Sequence, residues 1–425
     1  MRGAICLFGY PPSAILPQPE LNSKADQLWT APRWALAMLL AGLSMLGPFS
    51  IDTYLPAFSG IAQSLSANPL QMQQTLSAYL FGFAFMNLFH GALADGFGRR
   101  PVILGGVAVF TVASIGCALA ATPAQLIACR ALQGLATGAG VVVVRAVIRD
   151  MFPPADAQRM MSQVTLFFGV APAVAPLIGG VLFVHAGWRS IFWFLTAVGA
   201  ALWLANFRLL PETLDPQARQ PFNLRSLMRG YASLLGKPRF VMLALASGVP
   251  FNGMFLYVLS APSFLGELLQ LAPTQFFWFF VVNIAGIMGG AWASGRLAGR
   301  LEPRRQVRAG YAIMAAISLA NVAANALFAA HVAWALLPIA IYSFGWALLT
   351  PVVTLMLLDV VPERRGLAAS LQAVIGSVAN GIVAGLLSPL VMHSALALAI
   401  ASLGLMGVGL AAWVVLNLRR FRPPR

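Results

Sequence analysis

Apolar stretches of about 20 residues recur along nearly the whole chain, each separated from the next by a short polar or charged turn. Each is long enough to cross a hydrocarbon layer of about 30 Å as a helix rising about 1.5 Å per residue. Twelve such windows run near 34–58, 72–92, 102–121, 124–146, 159–184, 189–209, 240–263, 273–297, 307–330, 332–357, 366–391 and 394–417. Glycine and proline recur inside them and the alternation of a membrane barrel is lacking, so the windows predict helices. The pattern predicts an all-α integral membrane protein with twelve transmembrane helices.

Composition agrees, since 59% of the 425 residues are hydrophobic and only 9% are charged. A net charge of +15 on a soluble surface would suggest nucleic acid, so its distribution decides. Of 27 Lys and Arg, 25 fall in the two tails and alternate loops; the exceptions are Arg130 and Arg189. That asymmetry is the positive-inside bias, which predicts cytoplasmic termini, a lipid bilayer as the partner surface and no nucleic acid. Cys6, Cys117 and Cys129 show no pairing pattern and read as small apolar residues.

The longest polar stretch between spans is "PETLDPQARQPFNLRSLMRGYASLLGKPR", residues 211–239. It divides the chain into a six-helix bundle at 34–210, a linker at 211–239 and a second six-helix bundle at 240–418. Flanking tails occupy 1–33, which has several prolines, no periodicity and an expectation of disorder, and 419–425. Within the linker Leu224, Leu227, Met228, Tyr231, Leu234 and Leu235 fall on one helical face opposite Arg225 and Arg229, with Asn223 as the expected cap. This predicts a helix lying on the membrane surface; the alternative is a plain tether.

The halves also repeat, since "GRLAGRLEPRR" (295–305) between spans eight and nine resembles "GALADGFGRR" (91–100) between spans two and three, with Gly299 in place of Asp95. Two charges lie well inside spans. Arg130 sits about 10 Å from the outer end of the fourth span, where an arginine is costly unless paired or facing water. Asp52, in "GPFSIDTYLPAF", is the one acid well inside a span and lies at a similar depth. Burial raises a carboxylate's pKa and a nearby arginine lowers it. A meeting of the two that changes with conformation would load and release a proton. The alternatives are a static ion pair and an arginine that snorkels to the interface.

With twelve spans and this loop, the chain resembles the major facilitator superfamily. Gly91, Leu93, Ala94, Asp95, Gly98, Arg99 and Arg100 fill its G-x-L-A-D-x-x-G-R-R/K loop, which the resemblance implies to be a latch between two pseudo-symmetric bundles. Arg130, Gln133, Gly134 and Gly138 meet R-x-x-Q-G-x-x-x-G, whose arginine is linked to proton coupling in that family. "FGVAPAVAPLIGG" resembles the fifth-helix antiporter motif through Pro172, Pro176, Gly179 and Gly180, with Ala171 and Ala175 where glycines usually stand. Together with "PETL" and "YVLSAPSFL", these stretches look like the drug:proton antiporter-1 type, in its bicyclomycin and chloramphenicol resistance branch. Asn87 and His90 stand where that branch more often has Gln and Tyr.

Metal clusters, nucleotide-cradling loops and catalytic triads are lacking in the sequence. The expectation is a transporter, not an enzyme, without cofactor or metal and driven by a proton gradient. Substrate would sit between the halves near the midplane. Candidate cavity residues are Tyr54, Tyr79, Phe83, Asn87, Gln133, Phe167, Phe168, Phe251, Asn252, Phe255, Tyr257, Asn283, Tyr342, Trp346, Gln372 and Asn380. Few fixed charges among them suit a neutral, zwitterionic or weakly cationic amphiphile. The reading is a proton-coupled drug exporter of the bacterial inner membrane, for which a monomer suffices; an uptake symporter or a non-transporting sensor or scaffold are the alternatives.

Overall fold

The computed structural model describes residues 28–417 apart from 30, 220–221, 299, 329–330 and 362–364, and apart from the side chains of 154–155, 158–159, 162–163, 165–169, 218, 333 and 365–366. The expected disorder of the first tail, Cys6, the second tail, Gly299 and the side chains of Phe167 and Phe168 lie outside that description.

Helix starts follow from local chemistry. Proline opens the helices at Pro69, Pro123, Pro154, Pro238 and Pro303, where its missing N–H costs nothing and its fixed φ suits the first turn. Asn68 and Thr122 cap two of them, accepting from the backbone N–H of Gln71 and Gln125.

The first span runs Arg33–Asp52, breaks through a tight turn at Leu55–Ala57 and resumes at Phe58–Ser64. Pro56 explains the break, because it has no N–H for the carbonyl of Asp52. The next five helices are Pro69–Phe97, Arg99–Leu119, Pro123–Met151, Pro154–Ala186 and Arg189–Leu209. After the linker, the seventh span is a pair, Pro238–Gly248 and Phe251–Leu259, bent by 45° beside Pro250. Phe277–Leu297, Pro303–Leu327, Val332–Leu358, Leu367–Val391 and Ala395–Asn417 follow.

Among the described residues ten helices are long and apolar enough to cross a membrane, and the bent pair makes an eleventh. The fifth helix is 33 residues long, with its described apolar part at Val170–Ala186. Trp34, Phe85, Trp292 and Leu390 point outward on this apolar belt, where lipid covers them.

The bundles repeat one packing scheme. Span two packs on four, three on four and three on six; in the second half eight packs on ten, nine on ten and nine on twelve. Between halves, two meets eleven and five meets eight, an exchange that a two-fold axis through the centre would generate. Both loops of the sequence repeat join equivalent helices.

Candidate functional site

Arg130 is fully buried, and the first bundle is built around it. Its Nη1 donates to the Ser50 carbonyl and to Gln133 Oε1, both at 2.9 Å. Its guanidinium carbon lies 4.8 Å from the Tyr54 ring centre and 4.5 Å from that of Tyr79. The helix break at Pro56 makes this possible, because the last turn of the first helix leaves carbonyls without N–H partners and carries the negative end of its dipole. Gln133 is held by Ser114, Tyr54 by Thr75 and Tyr79 by Thr137, so the box is rigid. Nε and Nη2 of Arg130 remain without partners.

Asp52 is buried two residues beyond Ser50, yet its carboxyl makes no hydrogen bond or ion pair among the described residues. The meeting expected from depth is not formed in this conformation, since a backbone carbonyl, an amide and two aromatic faces occupy the arginine instead.

At the end of the bundle that carries the basic loops, Arg99 donates to Asp95 at 2.6 Å and to Asp150 at 2.9 Å. The Glu212 carboxylate, in "PETL", accepts the backbone N–H of both Arg99 and Arg100 and so caps the third span. Gly98, at φ 105°, turns the chain in a conformation that L side chains rarely adopt, and a methyl there would strike Glu212. Arg100 reaches the Phe207 carbonyl. Each described polar partner of this loop belongs to the first half or to the start of the linker, so in this conformation the loop is tied within one half. Asp150 and Glu212 escaped the sequence reading because they come from distant segments.

The halves touch at the opposite, charge-poor end. Gln73 donates to the Leu259 carbonyl at 3.2 Å, Gly385 lies against Ser77, and Gly180 against Pro273. Towards the basic end they part around a cavity of about 590 Å³. Phe83, Asn87, Val142 and Met161 of the first half, Tyr231 of the linker, and Leu367, Ser370 and Ser377 of the second half line it. Its charged residues are Asp95, Arg99, Arg145 and Arg149. The linker helix, Leu224–Leu235, capped by Asn223, closes one side, with Tyr231 donating to the Leu88 carbonyl.

Of the cavity candidates, Phe83 and Asn87 line this space. Tyr54, Tyr79 and Gln133 serve the Arg130 box instead. In the second bundle Tyr257 accepts from Asn321, Tyr342 donates to the Pro250 carbonyl, Asn283 accepts from Ser343, and Asn252 donates to the Gly248 carbonyl. These polar side chains are buried and face inward because each needs a partner that lipid does not supply. Phe251 stacks on Phe255 and packs on Trp346, which donates to the Ser247 carbonyl, while Gln372 donates to the Ser247 hydroxyl. Asn380 is half-buried, its Oδ1 without a partner. In the fifth helix, Ala171 and Ala175 are fully buried, Pro172 and Pro176 lie inside the helix, and Gly179 meets the Thr53 backbone.

A fold of two pseudo-symmetric bundles with this loop and a buried arginine can be compared with known proteins. Residues 37–384 match the profile of the Major Facilitator Superfamily. The chain belongs to that superfamily. The chain is 35% identical over 278 residues to an uncharacterized MFS-type transporter, YdgK, of Bacillus subtilis, covering 65% of this chain and 69% of that one. It is 32% identical to a bicyclomycin resistance protein homolog of Haemophilus influenzae, with the same coverage, and 28% identical to multidrug resistance protein D of Escherichia coli, over 83% and 88% of the two chains. Among solved structures it superposes on a D-xylose–proton symporter with TM-score 0.72, at 16% identity, over 92% of this chain and 98% of that one. A bacterial homolog of the human lysosomal transporter Spinster also gives 0.72, at 16% identity over 93% and 99%. The superfamily member is thus a multi-pass membrane transporter rather than an enzyme, of the branch that holds the drug-resistance relatives.

Proposed function

We propose that this transporter exports drug-like amphiphiles across the bacterial inner membrane in exchange for protons. The basic loops and both termini face the cytoplasm, so the 590 Å³ cavity is the cytoplasmic entrance and the charge-poor end is sealed towards the outside. The observation that carries this reading is Arg130, buried without a carboxylate partner and with two nitrogens that lack hydrogen bonds, while Asp52, buried on the first span, makes no ion pair among the described residues. A carboxylate without a partner at that depth is costly, so Asp52 holds its proton while the molecule opens inward. A local shift of the first helix within its own half, at the break beside Pro56, would carry Asp52 against the free side of Arg130, where the ionised form is favoured. The loop of Asp95, Arg99 and Asp150 switches partners as the cytoplasmic side closes, which makes it the latch. The drug-resistance names of two relatives support the substrate class, and a monomer suffices for this cycle.

Growth of a pump-deleted bacterium expressing the chain, against antibiotics that include phenicols and bicyclomycin, tests the reading beside Asp52→Asn and Arg130→Ala at matched membrane levels. Resistance that is lost in both variants and with an uncoupler supports it. Nutrient accumulation without resistance sinks it and points to uptake.

A further inference from the structure

The cytoplasmic cavity carries charge that no proton-coupling step uses. Arg145 and Arg149 lie one turn apart on the fourth helix, and both line the cavity. Neither makes a hydrogen bond, ion pair or ring contact among the described residues, whereas Arg99 beside them is satisfied by Asp95 and Asp150. Asp95 and Asp150 share Arg99 and leave that cluster one negative charge, so beside the two unpaired guanidinium groups of Arg145 and Arg149 the wall retains a net positive charge. Arg145 stands six residues before the helix ends at Met151, about 9 Å towards the membrane centre. A cation at such depth that lines a cavity between the halves marks a ligand pathway.

Resting on the exporter reading, we propose that the preferred cargo is an organic anion: an apolar ring system bearing a carboxylate, bound between Arg145 and Arg149. The remaining lining suits such a molecule. Phe83, Val142 and Met161 offer apolar and polarizable surface to the ring system, and Asn87 and Ser370 offer neutral hydrogen bonds. The volume of about 590 Å³ fits one drug-sized ligand. Planar guanidinium forks take a carboxylate in paired, charge-assisted hydrogen bonds and repel an amine. This departs from the neutral, zwitterionic or weakly cationic cargo that the sequence suggested, because Arg145 there counted with the loop residues.

Equilibrium binding of naphthylacetate, naphthylacetamide and naphthylethylamine to the purified full chain in detergent, by calorimetry at low salt, tests the proposal. The acid is expected to bind about tenfold more tightly than the amide, and the amine more weakly than both. In Arg145→Gln the acid-to-amide ratio should fall towards one while amide binding persists, which reports that the variant is folded. Arg145→Lys should keep part of the ratio, and Arg149→Gln should lose part of it. An amine that binds as well as the acid, a ratio unchanged in Arg145→Gln, or no binding of any of the three up to the millimolar range overturns the proposal. So does a loss of co-purified phosphatidylglycerol in Arg145→Gln at constant ratio, which would assign the arginine to a lipid headgroup. The measurement uses no gradient, so failure of proton-driven export in cells and failure of anion selection remain separate results.

Discussion

The two bundles share one packing scheme and divide the chemistry unequally. In the first, buried polarity is ionic: a guanidinium between two tyrosine rings, a lone carboxyl, and an arginine shared by two aspartates. In the second it is neutral, as where Gln306 ties the Ser294 hydroxyl to the Leu348 carbonyl and Asn321 meets Tyr257. A neutral hydrogen bond fixes helices whatever the pH, whereas an ionic group can change state. The proposed cycle therefore assigns switching to the first half and the frame to the second.

Substitutions that cross this division should separate the two roles. The largest effect is expected from Asp52→Asn, which should reduce proton-driven drug accumulation in everted vesicles to the level of vesicles without the protein. Arg99→Gln breaks both pairs of the latch and, with Asp95 half exposed, should cost about 1–3 kcal/mol, read as a lower unfolding midpoint in detergent. Gln306→Ala, the neutral counterpart, should cost about 1 kcal/mol and leave transport coupled to protons; loss of coupling there would end the proposed division. Glu212→Gln keeps the cap's shape and removes its charge, so about 0.3–1 kcal/mol is expected, shrinking at high salt.

The spans and the latch loop were legible in the sequence because lipid dictates apolar length and the loop pattern is local. The Arg130 box was legible only in part. Rise per residue gives depth, which put Asp52 and Arg130 on one level, but it leaves open which way each side chain turns. The break at Pro56 then supplied a free carbonyl at Ser50 that took the place of the acid. The aromatic and amide candidates of the second bundle stay out of the lining of the 590 Å³ cavity in this conformation for a related reason, since a polar tip buried in a bundle seeks a partner there before it faces a cavity. Arg145 was missed because, one residue short of the end of the apolar window at 146, it was counted with the basic residues of the following loop, while the helix continues to Met151. Charges in that last turn read as loop, although their i, i+4 spacing places them on one face.

The fifth helix runs without side chains at its two tightest contacts: Gly179 on the Thr53 backbone and Gly180 on that of Pro273, one in each half. Interdigitated side chains would act as detents, holding the bundles at a few fixed angles until each knob climbs out of its hole. Where Gly180 meets Pro273, bare backbone against bare backbone is instead a plain bearing between the halves, while the Gly179 contact packs the fifth helix on the first within one half. A single methyl at Gly180 would convert that bearing into a ratchet, and the pump would slow at its pivot while every charged residue stayed in place.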